Sequence, residues 1–401
     1  MRWLLLLAVL PLLNACSDDP TPERQRVKVE VLSCATGFEE VGNSFARTTR
    51  AWDPSPYVTY RAIYGTNGMF ADQKDLVNKS IYAFFTKDGN DKQEGILYFR
   101  ETEDRWYLNS KIESSGESPY QVYGYIPMED AESAEIAPLE GSYSTGAVLT
   151  INGLNTITPS DVCVIIGAKN GRGADDDTGE TVTPSESDGI HIAPGKFDVS
   201  FVGGESATNY VFLLFDHLYA SMRFSFTVDP TYNTLRTIKL RKLELVAYAD
   251  EYGGGVKAKY NAVITLRNNN SGASPIAEDS SIRFYPVASS ANVDPKMLYD
   301  GELTLGTSPS NLLGCFVPGV NTYFKLRSTY DVYDKNVTLE HPEGNLIRQG
   351  CQAENTIDLL EKFDITGAIN GNCYTYRITV QPTYLYMLSE PDVDNPKVVV
   401  N

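Results

Sequence analysis

Alternation of apolar and polar residues with a period of two is the feature of this sequence that most constrains its fold. In residues 27–31 the alternation is strict, with valine at every second position. This pattern is typical of strands with one buried face, because successive side chains of a strand point to opposite faces. It recurs in parts of further segments, at residues 196–202, 222–228, 238–245, 263–266 and 374–380.

Composition favours the same fold class. The chain has 25 tyrosines, and clusters of Gly, Asn, Asp and Pro separate the alternating runs. Aromatic and β-branched residues suit a pleated, half-buried surface, and the clusters supply turns. We expect only short helices, at residues 72–79 and 353–363. The sequence therefore predicts an all-β protein of antiparallel sandwiches.

The N-terminus indicates export. One arginine precedes an apolar run at residues 3–13, and Ala15 stands directly before Cys16. The run is too short to span a bilayer, which takes ~20 helical residues. Its end resembles a bacterial lipobox, which implies that residues 1–15 are a signal peptide and that Cys16 carries a diacylglycerol and fatty acid (palmitate). An ordinary signal peptide with a chance cysteine is the alternative.

The residues after Cys16 are acidic, as is the whole chain. Residues 17–19 resemble a short tag that sends lipoproteins to the cell surface, with a solvated linker as the alternative. The net charge of −18 argues against nucleic acid as a partner, since binding it depends on positive charge. Its 401 residues suit two domains, and the polar stretch at 167–194 is the candidate boundary. We place the domains at 51–180 and 181–401.

Catalytic and metal-binding motifs are not evident. The histidines His191, His217 and His341 belong to no hydrolase or metalloprotease motif. Asp216 and His217 are neighbours in a strand-like run, so their side chains should point to opposite faces and His217 should be structural. The acidic run at 175–177 lacks the spacing of a calcium loop. We predict no enzyme, no cofactor and no metal.

The cysteines other than Cys16 form an odd set without metal-type spacing. The set consists of Cys34, Cys163, Cys315, Cys351 and Cys373. Two alternatives stay open: disulfide formation among the last three of these cysteines, or buried free thiols.

Several segments together resemble the fimbrillin family, also called type V pilins or Mfa-like fimbrillins. A strand-like segment at 26–34 is followed by Ala-Arg-Thr-Thr-Arg-Ala-Trp at 46–52. The second half contributes residues 214–226 and 371–380. The resemblance implies two transthyretin-like antiparallel β-sandwich domains in tandem. It also implies a precursor held at the outer membrane by its lipid and later built into a fimbrium.

The resemblance further implies proteolytic maturation. An arginine-specific protease would cut the Arg50–Ala51 bond, with Arg47 as a rival site. The propeptide, residues 16–50, would then leave together with its strand at 27–32. The opened groove would accept a strand from another subunit, because an unpaired strand edge readily binds a foreign strand.

The C-terminal tail occupies the place of a donor strand. It is short and consists of Lys397, Val398, Val399 and Val400. Shaft and tip positions therefore both stay open. The implied partners are other pilin subunits, identical or related, and a host or bacterial surface receptor.

A surface glycan-binding lipoprotein of a nutrient-uptake system is the alternative function. It would share the lipid signal and the sandwiches. Trp52, Trp106 and the tyrosines of the first domain would then act as sugar platforms, although strand tyrosines mostly pack a half-buried face.

Overall fold

The computed structural model describes the greater part of the chain between residues 26 and 400. The described ranges are 26–35, 39–41, 58–59, 78–87, 92–100, 102, 105–110, 112–115, 118–170, 194–203, 208–268, 282–319, 323–336, 338–340, 342, 344–363, 367–384 and 391–400. Strands predominate in these ranges, which confirms the all-β prediction.

The strands are numbered in chain order. They are β1 (Arg26–Ala35), β2 (Glu39–Val41), β3 (Val58–Thr59), β4 (Ser80–Thr86), β5 (Lys92–Arg100), β6 (Arg105–Leu108), β7 (Ile112–Glu113), β8 (Tyr120–Ile126), β9 (Ser133–Leu139), β10 (Ser142–Asn155), β11 (Ile157–Thr158), β12 (Cys163–Asn170), β13 (Asp198–Val199), β14 (Thr208–His217), β15 (Ala220–Val228), β16 (Arg236–Tyr248), β17 (Lys259–Arg267), β18 (Ile282–Pro286), β19 (Lys296–Leu305), β20 (Ser310–Phe316), β21 (Tyr323–Asp334), β22 (Leu346–Asp358), β23 (Asn372–Tyr384) and β24 (Pro391–Val400). The helices are α1 (Pro230–Leu235), α2 (Leu359–Phe363) and a 3₁₀ turn at Met128–Asp130.

Two sheets enclose the first hydrophobic core. The larger has the strand order β12-β14-β1-β6-β5-β4-β8-β13, with β3 and β7 also paired to β1. Pairing between β12 and β8 closes these strands into a barrel. The second sheet has the order β18-β17-β10-β9 and contributes side chains such as Leu149 and Ile264 to the same core.

Two further sheets enclose the second core. One has the order β11-β20-β15-β23-β2, with β24 also paired to β23, and the other has the order β19-β16-β21-β22. Phe224, Leu326 and Tyr376 are among their fully buried side chains. This part of the chain has the two facing sheets that a sandwich requires.

The first core contains strands from both the N-terminal and the C-terminal half of the sequence. Strands β14 and β17 follow residue 200 in sequence, yet β14 pairs with β1 and β12, and β17 pairs with β10. Strand β18 then pairs with β17. The expected boundary between residues 180 and 181 lies outside the described residues, and the division into 51–180 and 181–401 stays a prediction.

The expected helix at 353–363 is a helix only at Leu359–Phe363. Residues 353–358 instead complete β22, which pairs with β21 up to Asp358. Glu354 explains part of this outcome, because its carboxylate binds Lys325 at 3.1 Å and Arg327 at 2.8 Å on the neighbouring strand. Cross-strand pairing thus overrides local helix propensity.

Val31 provides a test of how much β1 contributes to the first core. It is 1% exposed, so Val31→Ala removes buried methyl groups and should lower the free energy of unfolding by about 2 kcal/mol. Val202 is 68% exposed, and the matched Val202→Ala change should cost less than about 0.5 kcal/mol. Urea denaturation of both variants measures the difference, and equal effects would contradict the burial of β1.

Candidate functional site

Strand β1 lies inside the large sheet, with neighbours on both edges. It runs parallel to β14, where Lys28–Ala35 align with Thr208–Phe215. On the other edge it is antiparallel to β6, with Glu30 opposite Tyr107 and Val31 opposite Trp106. The first described strand therefore fills a slot between β14 and β6, and β6 begins 70 residues after β1 ends.

The side chains of β1 that the structure describes alternate between two environments. Val29 and Val31 point into the first core and are almost fully buried. Glu30 points to the opposite face, as a strand period of two requires. There it stands in register with Tyr210 on one side and Tyr107 on the other.

Arg105 anchors the carboxylate of Glu30. Its guanidinium donates a hydrogen bond from Nη1 to Glu30 Oε2 at 3.0 Å, and it lies 5.3 Å from the ring centre of Tyr210. The side chains of Arg105 and Glu30 are only 16% and 11% exposed. Water therefore screens this ion pair less than an ordinary surface pair.

The segment predicted to be the propeptide also pairs with a sheet of the second core. Strand β2, four residues beyond β1, runs parallel to the start of β23 at residues 372–374. Strand β24 pairs with β23 from Ile378 to Tyr384. Because β15 occupies the opposite edge over residues 373–380, β2 and β24 must lie end to end along one edge of β23. Residues 26–41 thus contribute strands to a sheet of each core.

The structure locates only part of the predicted site. Cys16, Arg47, Arg50 and Ala51 lie outside the described residues. The tail residues Lys397, Val398, Val399 and Val400 belong to β24, where they pair with Gln381, Val380, Thr379 and Ile378 of the same chain. β24 begins at Pro391, so this strand is longer than the predicted tail.

A second cluster of polar side chains lies wholly inside the protein. The cluster consists of Asp161, Cys163 and His217, all of them 0% exposed. Antiparallel pairing of β12 with β14 places Cys163 directly opposite His217. His217 Nδ1 lies 2.8 Å from Asp161 Oδ2, and the Cys163 thiol donates to the same oxygen at 3.3 Å. Asp216 instead accepts a hydrogen bond from the backbone N–H of His217.

The chemistry of this cluster is that of a buried polar network. In a catalytic triad the nucleophile and the carboxylate bind different imidazole nitrogens, whereas Cys163 Sγ and Asp161 Oδ2 both face Nδ1. Burial, followed by the charge of Asp161, raises the pKa of the Cys163 thiol well above its ordinary value. The three ligand atoms lie within 4.8 Å of one another, so they are the described residues best placed to hold a metal ion.

Among the aromatic residues proposed as sugar platforms, most of those that the structure describes are buried, and Tyr98 is exposed. Trp106 is 1% exposed and packs against Phe99, with ring centres 5.0 Å apart. Tyr120, Tyr123 and Tyr125 are likewise buried. Trp52 lies outside the described residues. Because Trp106 is buried, it cannot serve as a sugar platform in the glycan-binding alternative.

Four cysteines form no disulfide bond. Cys163, Cys315 and Cys373 are buried and Cys351 is half-buried. Burial, with the charge of Asp161 as the next cause, also raises the pKa of the Cys315 thiol well above its ordinary value. The Cys163 and Cys315 thiols therefore resist ionisation, and oxidation requires the thiolate.

Comparison with known proteins gives likenesses of fold only. No family model and no curated protein matches the sequence. A candidate cell adhesion protein from Bacteroides fragilis is 11% identical, with 94% of this chain and 97% of that chain covered and a TM-score of 0.40. A fimbrial protein from Bacteroides vulgatus is 10% identical, with 81% and 92% covered and a TM-score of 0.32. The fimbrial anchor protein Mfa2 from Porphyromonas gingivalis is 10% identical, with 93% and 95% covered and a TM-score of 0.26.

These three structures are described as a cell adhesion protein, a fimbrial protein and a fimbrial anchor protein. At TM-scores of 0.40 and below, these likenesses carry no argument about the family or function of this chain. In the described part of the chain, no helix is long and apolar enough to cross a membrane.

The buried network should contribute measurably to stability. His217→Leu removes the hydrogen bond to Asp161 while that carboxylate stays enclosed, which should lower the free energy of unfolding by about 3 kcal/mol. Tyr252 is 89% exposed, so Tyr252→Leu is the control and should change stability by less than about 0.5 kcal/mol. A His217→Leu variant as stable as the parent in thermal and urea unfolding would refute a structural role for the network.

Proposed function

We propose that this chain is a structural subunit of a cell-surface fimbria with a role in adhesion. It is exported as a lipoprotein precursor, attached to the outer membrane through Cys16, cut by an arginine-specific protease at Arg50–Ala51, and assembled by strand exchange. Its partners in this proposal are other pilin subunits and a surface receptor.

The position of β1 is the observation that carries this proposal. β1 is the first described strand, and it has hydrogen-bonded neighbours on both edges. Its loss would leave β14 and β6 with facing unpaired edges and would uncover the core beneath Val29 and Val31. Backbone groups and apolar surface exposed in this way favour the insertion of a replacement strand.

The contacts of β2 support the same proposal from the second core. Release of the propeptide would also free residues 372–374 of β23, next to the end of β24. Cleavage at Arg50 and loss of the propeptide would then open a slot between β14 and β6 in the first core. The same event would expose the edge of β23 next to β24. Both changes favour association between subunits that do not associate as precursors.

The tandem transthyretin-like sandwiches implied by the resemblance belong to this proposal. Four sheets around two cores support two units of sandwich type. The first unit differs from a plain sandwich because β12 pairs with β8 and closes the larger sheet.

Proteolysis tests the maturation step. Trypsin-like cleavage of the folded precursor should cut at Arg50 and leave residues 51–401 resistant, because later arginines such as Arg223 and Arg241 lie within paired strands. The cut product should associate in size-exclusion chromatography, whereas the precursor should remain monomeric.

Arg50→Ala should prevent both the cut and the association, and Arg47→Ala serves as the matched control. Mass spectrometry of the digests identifies the cleaved bond. Cleavage after Arg47 in the Arg50→Ala variant would move the site by three residues without changing the mechanism. A digest that spares both arginines and fragments the later chain would refute maturation at this segment.

Acylation is tested separately. Cys16→Ala should abolish incorporation of a fatty acid analogue supplied to growing cells, because the lipid attaches to this side chain. Cys351→Ala is the control, since Cys351 lies in β22 far along the chain. Equal labelling of parent and Cys16→Ala protein would show that Cys16 is not the acceptor.

A further inference from the structure

We propose that the slot occupied by β1 selects its occupant through Arg105, and that the preferred occupant is a strand carrying a carboxylate between two branched aliphatic residues. This inference rests on the proposed function, because it concerns the strand that replaces β1. It further implies that the favoured donor is an unlike subunit rather than a second copy of this chain.

The outer face of the slot forms a site for one carboxylate. Glu30 lies between Tyr210 and Tyr107 in register, and Arg105 reaches it from two positions along β6. The tyrosine rings flank the charge and the guanidinium neutralises it. A hydrogen bond to a charged group in such a partly enclosed place is stronger than one between neutral groups.

A second arginine lies next to this site on strand β5. Arg100 lies directly opposite Arg105 in the pairing of β5 with β6, and its guanidinium stacks on Tyr107 at 4.0 Å. Like charges opposite each other on neighbouring strands are unfavourable. A carboxylate at the Glu30 position pairs with Arg105, whereas a lysine there would add another positive charge beside it.

The inner face of the slot requires aliphatic side chains on both sides of that carboxylate. Val29 and Val31 are buried in the first core, so a polar side chain at either position would lose its water without a partner. The required pattern is therefore aliphatic, acidic, aliphatic over three consecutive residues.

The chain's own C-terminal strand does not contain this pattern. Asp392 stands between Pro391 and Val393, and Asp394 stands between Val393 and Asn395. The apolar run that follows has valine where the carboxylate should be. In addition, Pro396 lacks an N–H and would interrupt pairing in a slot with neighbours on both edges.

Charge reversal in the intact precursor tests the selectivity without any proteolysis. Glu30→Lys and Arg105→Glu should each lower the urea midpoint of unfolding. The double variant should recover part of the loss, because it restores an opposite-charge pair in the same place. A double variant no more stable than the sum of the single changes would overturn the role of Arg105.

Peptide exchange tests the choice of occupant. The full chain is cut at Arg50 and incubated with fluorescent peptides: residues 26–35 with Cys34→Ser, the same peptide with Glu30→Gln or Glu30→Lys, and residues 391–401. Fluorescence anisotropy should show binding of the first peptide. The Glu30→Lys and C-terminal peptides should bind at least about tenfold more weakly, and the Glu30→Gln peptide should lie between them.

The outcomes separate the two proposals. Equal binding of the C-terminal peptide and the 26–35 peptide would overturn the selectivity while leaving strand exchange intact. Binding of no peptide after verified loss of the propeptide would instead contradict strand exchange itself. If the precursor resists cleavage at Arg50, the charge-reversal variants still test whether Arg105 favours a strand with a carboxylate at this position.

Discussion

The pairing of β1 on both of its edges is the interaction on which the first half of this structure depends. Parallel pairing with β14 and antiparallel pairing with β6 join the two ends of a barrel that β12 and β8 close on the far side. Removal of a strand from the middle of such a ring opens two backbone edges and an apolar groove together. Such a gap is unstable in water, and a strand of another chain can fill it.

The same strand carries a charge that most buried strands avoid. Glu30 is held between two tyrosines by Arg105, so the slot fixes both the depth and the register of its occupant. A shift of one residue would place the carboxylate in the core and an aliphatic residue against the guanidinium. Apolar burial thus supplies affinity in this account, while the ion pair supplies selectivity.

Local patterns predicted much of this architecture, and long-range pairings did not emerge from them. The alternation at 27–31 predicted a strand, because period-two burial is visible in the sequence itself. The partners of that strand, Arg105 and Tyr210, lie 75 residues or more away, and no local signal connects them to Glu30. The cluster of Asp161 and His217 was missed for the same reason, since only the pairing of β12 with β14 brings them together. Residues 353–358 show the converse error, where a local helical pattern yielded to pairing with β21.

Hydrogen exchange of the precursor before and after cleavage at Arg50 tests the central claim most directly. Loss of the propeptide should raise deuterium uptake in residues 208–215 and 106–107, which pair with β1, and in residues 372–374, which pair with β2. Strands β16 and β21 should keep their protection, because they pair only within the second core. Added peptide of residues 26–35 should restore protection to the first two segments. Unchanged uptake in these segments after verified loss of the propeptide would contradict the account, as would a loss of protection throughout the chain.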